Sequence, residues 1–154
     1  MIRQIDQFKK ALEYAFLLLK YRLRSEQELR LRMKRKKFAP ETIERAITFL
    51  KEKKFIDDAI FAKAWMESRL IRPLGLRMIQ QELKLKGVNS AIISACISKA
   101  KETYSETDTI KEIARLKLSK LKGVEPRAAK RRVYAYLLRR GFYPDAIYEV
   151  INQL

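Results

Sequence analysis

The sequence predicts an all-α protein made of three tandem three-helix repeats, and three observations support this prediction. Apolar residues recur at spacings of three and four along almost the whole chain, which is the period of an α-helix. Glycine and proline number only four each among 154 residues, which argues against an all-β fold with many tight turns. One pattern of apolar residues also occurs three times, and such repetition is typical of a repeat protein.

The first repeat, residues 1–54, combines an apolar helix with a helical hairpin. Pro40 and Glu41 mark the start of the second hairpin helix, because proline fits the first helical position and an acidic residue favours the positive end of the helix dipole. The three predicted helices of this repeat span Leu12–Tyr21, residues 25–37 and residues 41–53.

The second and third repeats, residues 55–103 and 104–154, show the same apolar pattern. Each begins with a further apolar helix, predicted over Asp58–Ile71 and Ile110–Leu121. Since each unit of such an array contacts mainly its neighbours, we expect an elongated, curved molecule. The matched positions are Leu29, Met33, Phe38, Ile43 and Ile47 in the first repeat, Ile79, Leu83, Val88, Ile93 and Ile97 in the second, and Val133, Leu137, Phe142, Ile147 and Ile151 in the third.

The residue after each middle helix supports the repeat interpretation. Gly87 and Gly141 occupy this position in the second and third repeats, where glycine adopts the left-handed conformation at little cost. The first repeat has Lys37 there, and a lysine held in this conformation carries strain of roughly 1 kcal/mol. We therefore expect Lys37→Gly to stabilise the protein. Thr103–Asp108 is the most polar stretch between repeats and is predicted to be a flexible joint.

The charge of the chain predicts an acidic partner. Lysine and arginine number 35 against 18 acidic residues, for a formal net charge of +17. Such an excess favours binding to nucleic acid, an acidic protein surface or an anionic membrane. The chain has no histidine and a single cysteine, Cys96, which excludes histidine bases, catalytic triads and an intrachain disulfide. No apolar run is long enough to span a membrane and no signal peptide is apparent, so we expect a cytoplasmic protein.

The positive charge is concentrated in the first and third repeats. Residues 1–54 carry 16 basic and 7 acidic groups, whereas residues 55–103 carry 8 and 5. The middle helix of the first repeat is basic almost all round, and four arginines of the third repeat lie opposite its apolar stripe. A solvated face is the alternative interpretation of the four arginines. The candidate binding residues are Arg22, Arg24, Arg30, Arg32, Lys34, Arg35 and Lys36, then Arg69, Arg72 and Arg77, and finally Arg127, Lys130, Arg131, Arg132, Arg139 and Arg140.

No constellation of residues predicts catalysis. Asp57 and Asp58 could hold magnesium in a nuclease, but an aspartate before a helix is more often its N-cap. We therefore assign Asp57, Asp58, Gly87 and Gly141 structural roles. Trp65 shares an apolar stripe with Phe61, which favours core packing over base stacking. Tyr134, Tyr136 and Tyr143 could stack on bases if they are exposed.

Several motifs, taken in order, resemble the RecX family of regulatory proteins. The resemblance runs from about Ala11 to the C-terminus, and it departs from the family at Lys37, where the family usually has glycine. The motifs are Arg22-Leu23-Arg24-Ser25 with Glu28-Leu29, Phe55-Ile56-Asp57-Asp58 with Phe61-Ala62, Gly75-Leu76-Arg77 with Glu82-Leu83 and Lys86-Gly87-Val88, and Leu138-Arg139-Arg140-Gly141-Phe142 with Asp145 and Ile147.

The resemblance implies tandem three-helix repeats and no enzymatic activity. The residues themselves lead us to expect no metal and no cofactor. RecX proteins act in bacterial homologous recombination, where they bind the RecA recombinase on single-stranded DNA. They limit growth of the RecA filament and suppress its ATPase, strand-exchange and coprotease activities. On this basis we expect a monomer whose partners are the RecA filament and single-stranded DNA, with no membrane partner.

The alternative is a DNA-binding protein that recognises phosphates without regard to sequence, duplex DNA included, through helix-turn-helix-like units. Its affinity should fall steeply with salt. Glu41 and Thr42 open the third helix of the first repeat and make a poor surface for phosphates.

Overall fold

The computed structural model describes all 154 residues and contains nine α-helices and no strand. The helices follow one another with short connections, and no helix is both long and apolar enough to cross a membrane. They are α1 (Ile2–Tyr21), α2 (Glu26–Arg35), α3 (Pro40–Glu52), α4 (Asp58–Leu70), α5 (Leu76–Leu85), α6 (Ser90–Lys101), α7 (Glu106–Ser119), α8 (Pro126–Arg139) and α9 (Pro144–Gln153).

The chain forms two compact units. The first contains Met1–Trp65 and Leu83–Ile93, and the second contains Met66–Glu82 and Ser94–Leu154. The core of the first unit is built mainly from α1, α2 and α3, with Leu29, Met33, Ile47 and Leu50 among its most buried side chains. The core of the second unit is built from α7, α8 and α9.

The apolar residues that recur in the three repeats are the residues that the structure buries. All these positions in the three repeats are buried except Phe38, which is half-buried. Phe38 packs against the edge of the first core. The prediction of an all-α fold with three tandem three-helix repeats is confirmed.

Two of the predicted helix starts are wrong. The first helix begins at Ile2 rather than near Leu12. The helix predicted to begin at Ile110 begins at Glu106, inside the stretch Thr103–Asp108 that was expected to be a flexible joint, and the Ser105 hydroxyl accepts a hydrogen bond from the Asp108 amide. The polar residues that suggested flexibility form a helix cap, which is a common use of serine.

Further hydrogen bonds within the second unit hold this segment in place. The Glu106 carboxylate accepts a hydrogen bond of 2.8 Å from the Leu76 amide at the start of α5. The Tyr104 hydroxyl donates to the Leu74 carbonyl at 2.9 Å. Burial raises the pKa of Glu106 and of Tyr104, in keeping with their place between packed helices.

All three middle helices end in the same hydrogen-bonded turn. In each turn a backbone amide donates a hydrogen bond to the carbonyl of the residue five positions earlier. The donor and acceptor residues are Phe38 and Met33, Val88 and Leu83, and Phe142 and Leu137. The residue before each donor has a positive φ, as this motif requires: 64° at Lys37, 74° at Gly87 and 85° at Gly141.

The structure explains why the turn after α2 accepts a residue with a side chain and the turns after α5 and α8 do not. A Cβ added at Gly87 would lie 2.6 Å from Cγ of Gln27, and one at Gly141 would lie 2.8 Å from the Met78 amide nitrogen. Each glycine is therefore packed against the middle helix of the preceding repeat: the start of α2 packs on Gly87, and the start of α5 packs on Gly141. Lys37 in the first repeat is exposed, so its side chain extends away from the packed helices.

A second link between adjacent repeats recurs in each unit. In the first unit, Asp58 at the start of α4 accepts a hydrogen bond of 2.9 Å from the Glu26 amide at the start of α2. In the second unit, Glu106 at the start of α7 makes the equivalent bond with the Leu76 amide of α5. A carboxylate at a helix N-terminus satisfies amides that have no partner inside the helix.

Candidate anion-binding interface

Several predicted binding residues of the first unit are engaged in ion pairs. Arg22 donates to both carboxylate oxygens of Glu28, at 2.8 and 3.1 Å. Arg30 lies 2.9 Å from Glu44 and 3.3 Å from Glu26. Since both arginines already have carboxylate partners, a ligand would have to compete for them.

Glu28 is the centre of the strongest of these arrangements. Burial by itself would raise the pKa of Glu28, but hydrogen bonds from Arg22, from the Lys86 ammonium and from the Ser25 amide outweigh it and hold the pKa at about 2. Lys86 lies 2.7 Å from the carboxylate and also 4.6 Å from the centre of the Trp65 ring. This cluster fixes the start of α2 against the end of α5.

Three predicted binding residues of the second unit also have partners within the protein. Arg69 pairs with Glu82 at 2.7 Å. Arg77 donates to the Leu138 carbonyl at 2.9 Å and to the Phe142 carbonyl at 3.4 Å. Arg140 donates to the Pro73 carbonyl at 3.2 Å. Arg77 and Arg140 thus join the start of α5 to the end of α8, a role that sequence reasoning missed.

Arg24 has a different environment. The side chain is half-buried, and its Nε is buried without a hydrogen-bond partner. Burial and the neighbouring Arg22 lower the pKa of Arg24. Arg140 is the other residue whose Nε is buried without a hydrogen-bond partner.

The end of α2 carries exposed cations without a carboxylate partner. Lys34, Arg35 and Lys36 are all exposed, and we call them the α2 cluster. Lys36 lies 5.3 Å from the centre of the Tyr14 ring, and Arg32 beside the cluster is half-buried. Cations at the C-terminal end of a helix also favour the helix dipole, so this position stabilises the helix as well as presenting charge.

The four arginines predicted to face outward on α8 do so. Arg127, Arg131, Arg132 and Arg139, which we call the α8 face, are exposed. The apolar stripe on the opposite side of α8 is buried. Lys130 is half-buried on the same helix, and Arg72 is exposed just beyond the end of α4.

Part of the α8 face borders a cleft of about 280 Å³ between the C-terminal part of α7 and α8. Lys117 contributes from α7 and Lys120 from the residue just after it, and Lys117 lies 3.7 Å from the centre of the Tyr136 ring. Sequence reasoning missed both lysines, because nothing in the sequence shows which face of α8 the end of α7 meets. The residues that line this α7–α8 cleft are Lys117, Lys120, Leu121, Arg132, Val133, Tyr136 and Arg139.

The paired aspartates have structural contacts. Asp57 accepts hydrogen bonds from the Ala59 amide at 2.8 Å and from the Ile60 amide at 3.4 Å, which is N-cap geometry. Burial raises the pKa of Asp58, whose carboxylate faces the Glu26 amide. No group of three or more acidic or cysteine side chains is placed to hold a metal ion.

The aromatic candidates for base stacking are partly covered. Trp65 stacks on Phe61 with ring centroids 6.0 Å apart, in agreement with the predicted core packing. Tyr134, Tyr136 and Tyr143 are each half-buried. The Tyr143 hydroxyl donates to the Gln80 side chain at 2.9 Å, so this ring is held in place by the fold.

Three family models match the chain in order along its length. The RecX first three-helix domain matches residues 11–50, the second matches residues 57–97, and the third matches residues 104–151. The chain belongs to the RecX family of regulatory proteins. Each of the three matched RecX domains contains one of the glycine or lysine turns described above.

Relatives of similar length support this assignment. The Regulatory protein RecX of Thermotoga petrophila is 41% identical over 150 residues, covering 96% of this chain and 86% of the relative. The Regulatory protein RecX of Amycolatopsis mediterranei is 32% identical over 149 residues, covering 96% and 85%. All these relatives are named as regulators.

Two crystal structures share the fold at low sequence identity. RecX from Lactobacillus salivarius has a TM-score of 0.85 and 19% identity, with 97% of each chain covered. A second structure of regulatory protein RecX has a TM-score of 0.83 and 22% identity, covering 99% of this chain and 75% of the other. Both support the arrangement of three-helix repeats.

Proposed function

We propose that this RecX-family protein is a negative regulator of the RecA recombinase that binds the RecA filament on single-stranded DNA. Bound there, it limits filament growth and inhibits the ATPase, strand-exchange and coprotease activities of RecA. The protein acts by binding, as a monomer in the cytoplasm, without catalysis of its own.

The observation that carries this proposal is the pair of unpartnered cationic surfaces. After the ion pairs are accounted for, the α2 cluster and the α8 face remain exposed. Exposed charges of one sign raise the rate of encounter with a polymer of the opposite sign. A filament of protein on DNA is such a polymer, and its repeated subunits allow more than one contact.

Co-sedimentation with RecA assembled on single-stranded DNA tests the proposal. We expect the triple variant Lys34→Gln, Arg35→Gln, Lys36→Gln to sediment with the filament less than the unmodified protein does. A matched control removes three scattered exposed lysines, Lys9, Lys20 and Lys99. Equal losses from both variants would show that only the net charge matters, and would contradict a defined docking surface.

Sequence-independent binding to DNA is the second candidate function. The α7–α8 cleft favours it, because four cations line this cleft and no carboxylate does. The two functions predict different responses to competing DNA. A filament-docking protein remains bound when free DNA is added, whereas a protein that only binds phosphates transfers to the free DNA.

A further inference from the structure

We propose that the α7–α8 cleft binds the phosphodiester backbone of single-stranded nucleic acid. This inference rests on the proposed function and deepens it, because it assigns the nucleic-acid contact to one defined site in the second unit. The remaining cationic residues then serve other contacts.

The charge of the cleft lining supports an anionic ligand. Lys117, Lys120, Arg132 and Arg139 line it together with three uncharged residues. The other recess described in the structure, at α3, contains Arg45 but also Glu44 and Glu52. Of these two recesses, only the α7–α8 cleft has an entirely cationic set of charged groups.

The positions of these cations suit an extended ligand. Arg132 and Arg139 are seven residues apart on α8, which corresponds to about 10 Å along the helix. This length spans more than one phosphate of a nucleic-acid strand. Lys117 and Lys120 lie on the opposite wall, so a strand in the cleft meets positive charge on both sides.

The apolar floor favours a single strand over a duplex. Leu121 and Tyr136, both half-buried, line the cleft between the cations, and Val133 beside them is buried. A single strand exposes apolar sugar and base surfaces that can pack on such a floor, as they do in cationic grooves of single-strand-binding proteins. A duplex turns its bases inward, so it offers phosphates to the cations but no base surface to this floor.

Tyr136 also fixes the position of one cation. The Lys117 ammonium lies 3.7 Å from the centre of the Tyr136 ring, a distance at which a cation–π attraction operates. The Arg140 guanidinium lies 5.9 Å from the same ring. Lys117 is therefore held over the Tyr136 ring, and the other cation beside this ring, Arg140, donates to the Pro73 carbonyl.

Fluorescence anisotropy of a labelled dT oligomer of about 12 nucleotides, titrated over a range of salt concentrations, tests the inference. The test variant is Arg132→Gln with Arg139→Gln. The matched control is Arg115→Gln with Lys122→Gln, which removes the same charge from exposed positions of the same unit outside the cleft. Lys120→Gln, on the other wall, is a second test variant.

We expect the double cleft variant to bind the dT oligomer about tenfold more weakly near physiological salt, with the slope of log K against log salt reduced by about 1.4. Lys120→Gln should reduce the slope by about half as much. The control pair should leave the slope nearly unchanged. Binding to a duplex of equal length should respond less to the cleft variants than binding to dT.

The inference would be overturned if the cleft variant and the control variant lost equal affinity for dT, or if the cleft variant lost none. It would also be overturned if the cleft variant weakened binding to the duplex and to dT equally. The proposed function is judged separately, by inhibition of RecA by the unmodified protein. If the protein inhibits RecA but the cleft pair binds dT normally, only the cleft assignment fails. If the protein does not inhibit RecA but the cleft pair loses affinity for dT, only the proposed function fails.

Discussion

Replacing Gly141 by alanine should destabilise the protein far more than the same change at Gly123. Both glycines have positive φ, 85° at Gly141 and 92° at Gly123. An added Cβ at Gly123 meets nothing within 4 Å, whereas at Gly141 it lies 2.8 Å from the amide nitrogen and 2.9 Å from the Cα of Met78. The pair therefore separates backbone strain from overlap with the neighbouring repeat.

The expected magnitudes follow from these two contributions. Left-handed strain costs alanine about 1 kcal/mol, and loss of chain entropy in the unfolded state offsets about half of it. The net cost at Gly123 is therefore about 0.5 kcal/mol. Overlap with a packed backbone adds about 1–3 kcal/mol, so the cost at Gly141 is about 1.5–3.5 kcal/mol.

Urea-induced unfolding followed by circular dichroism measures both free energies. Amide hydrogen exchange at Gly75 and Met78 gives a local readout, since these amides donate to the carbonyls of Arg140 and Gly141 at 2.9 and 3.3 Å. Gly141→Ala should speed their exchange, and Gly123→Ala should not. Equal destabilisation by the two variants would refute the claim that the turn after α8 is a docking surface for α5.

Three further predictions concern single residues. Lys37→Gly should raise the melting temperature by about 1–2 °C, because the relieved strain exceeds the added entropy of the unfolded chain by about 0.5 kcal/mol; an unchanged or lower melting temperature would contradict this. Since the folded-state pKa of Glu28 is about 2, below its ordinary 4.5, its ion pair should contribute fully above about pH 5 and be lost as the pH falls toward 2. After allowance for the solvent exposure of Arg22, the loss should be about 1–2 kcal/mol; Glu28→Gln should flatten the urea-measured stability profile in that range, and a profile of unchanged shape would speak against the pair. Arg77→Gln should cost about 2 kcal/mol through its lost carbonyl contacts, against less than about 0.5 kcal/mol for the exposed Arg131→Gln, as measured by urea unfolding; similar costs for the two would leave Arg77 without its structural role.

The fold could be predicted from the sequence because burial in a helix follows a fixed period. Leu29, Ile79 and Val133 recur in equivalent contexts, and each is buried. The turn after each middle helix was visible as well, since Gly87 and Gly141 follow apolar helices. The positive φ of Lys54, 59° just after the end of α3, could not be predicted from the sequence, because lysine carries no signal for this conformation.

The roles of individual cations could be predicted only in part. Arg77 and Arg131 are alike as residues on basic helices, yet Arg77 bonds the carbonyls of α8 and Arg131 is exposed. This difference depends on contacts between residues about sixty positions apart, which helical periodicity does not encode. Lys117 could not be predicted either, because its place in the cleft depends on how α7 packs on α8, which helical periodicity does not encode.

The proposed regulation of RecA is tested most directly by its ATPase activity on single-stranded DNA, titrated with this protein and repeated with an excess of added DNA. Docking on the filament predicts inhibition at well below one protein per recombinase subunit, and this inhibition should survive the added DNA. Inhibition that disappears when DNA is added would mean that the protein only sequesters DNA. No inhibition under either condition would contradict the proposal that this protein regulates RecA.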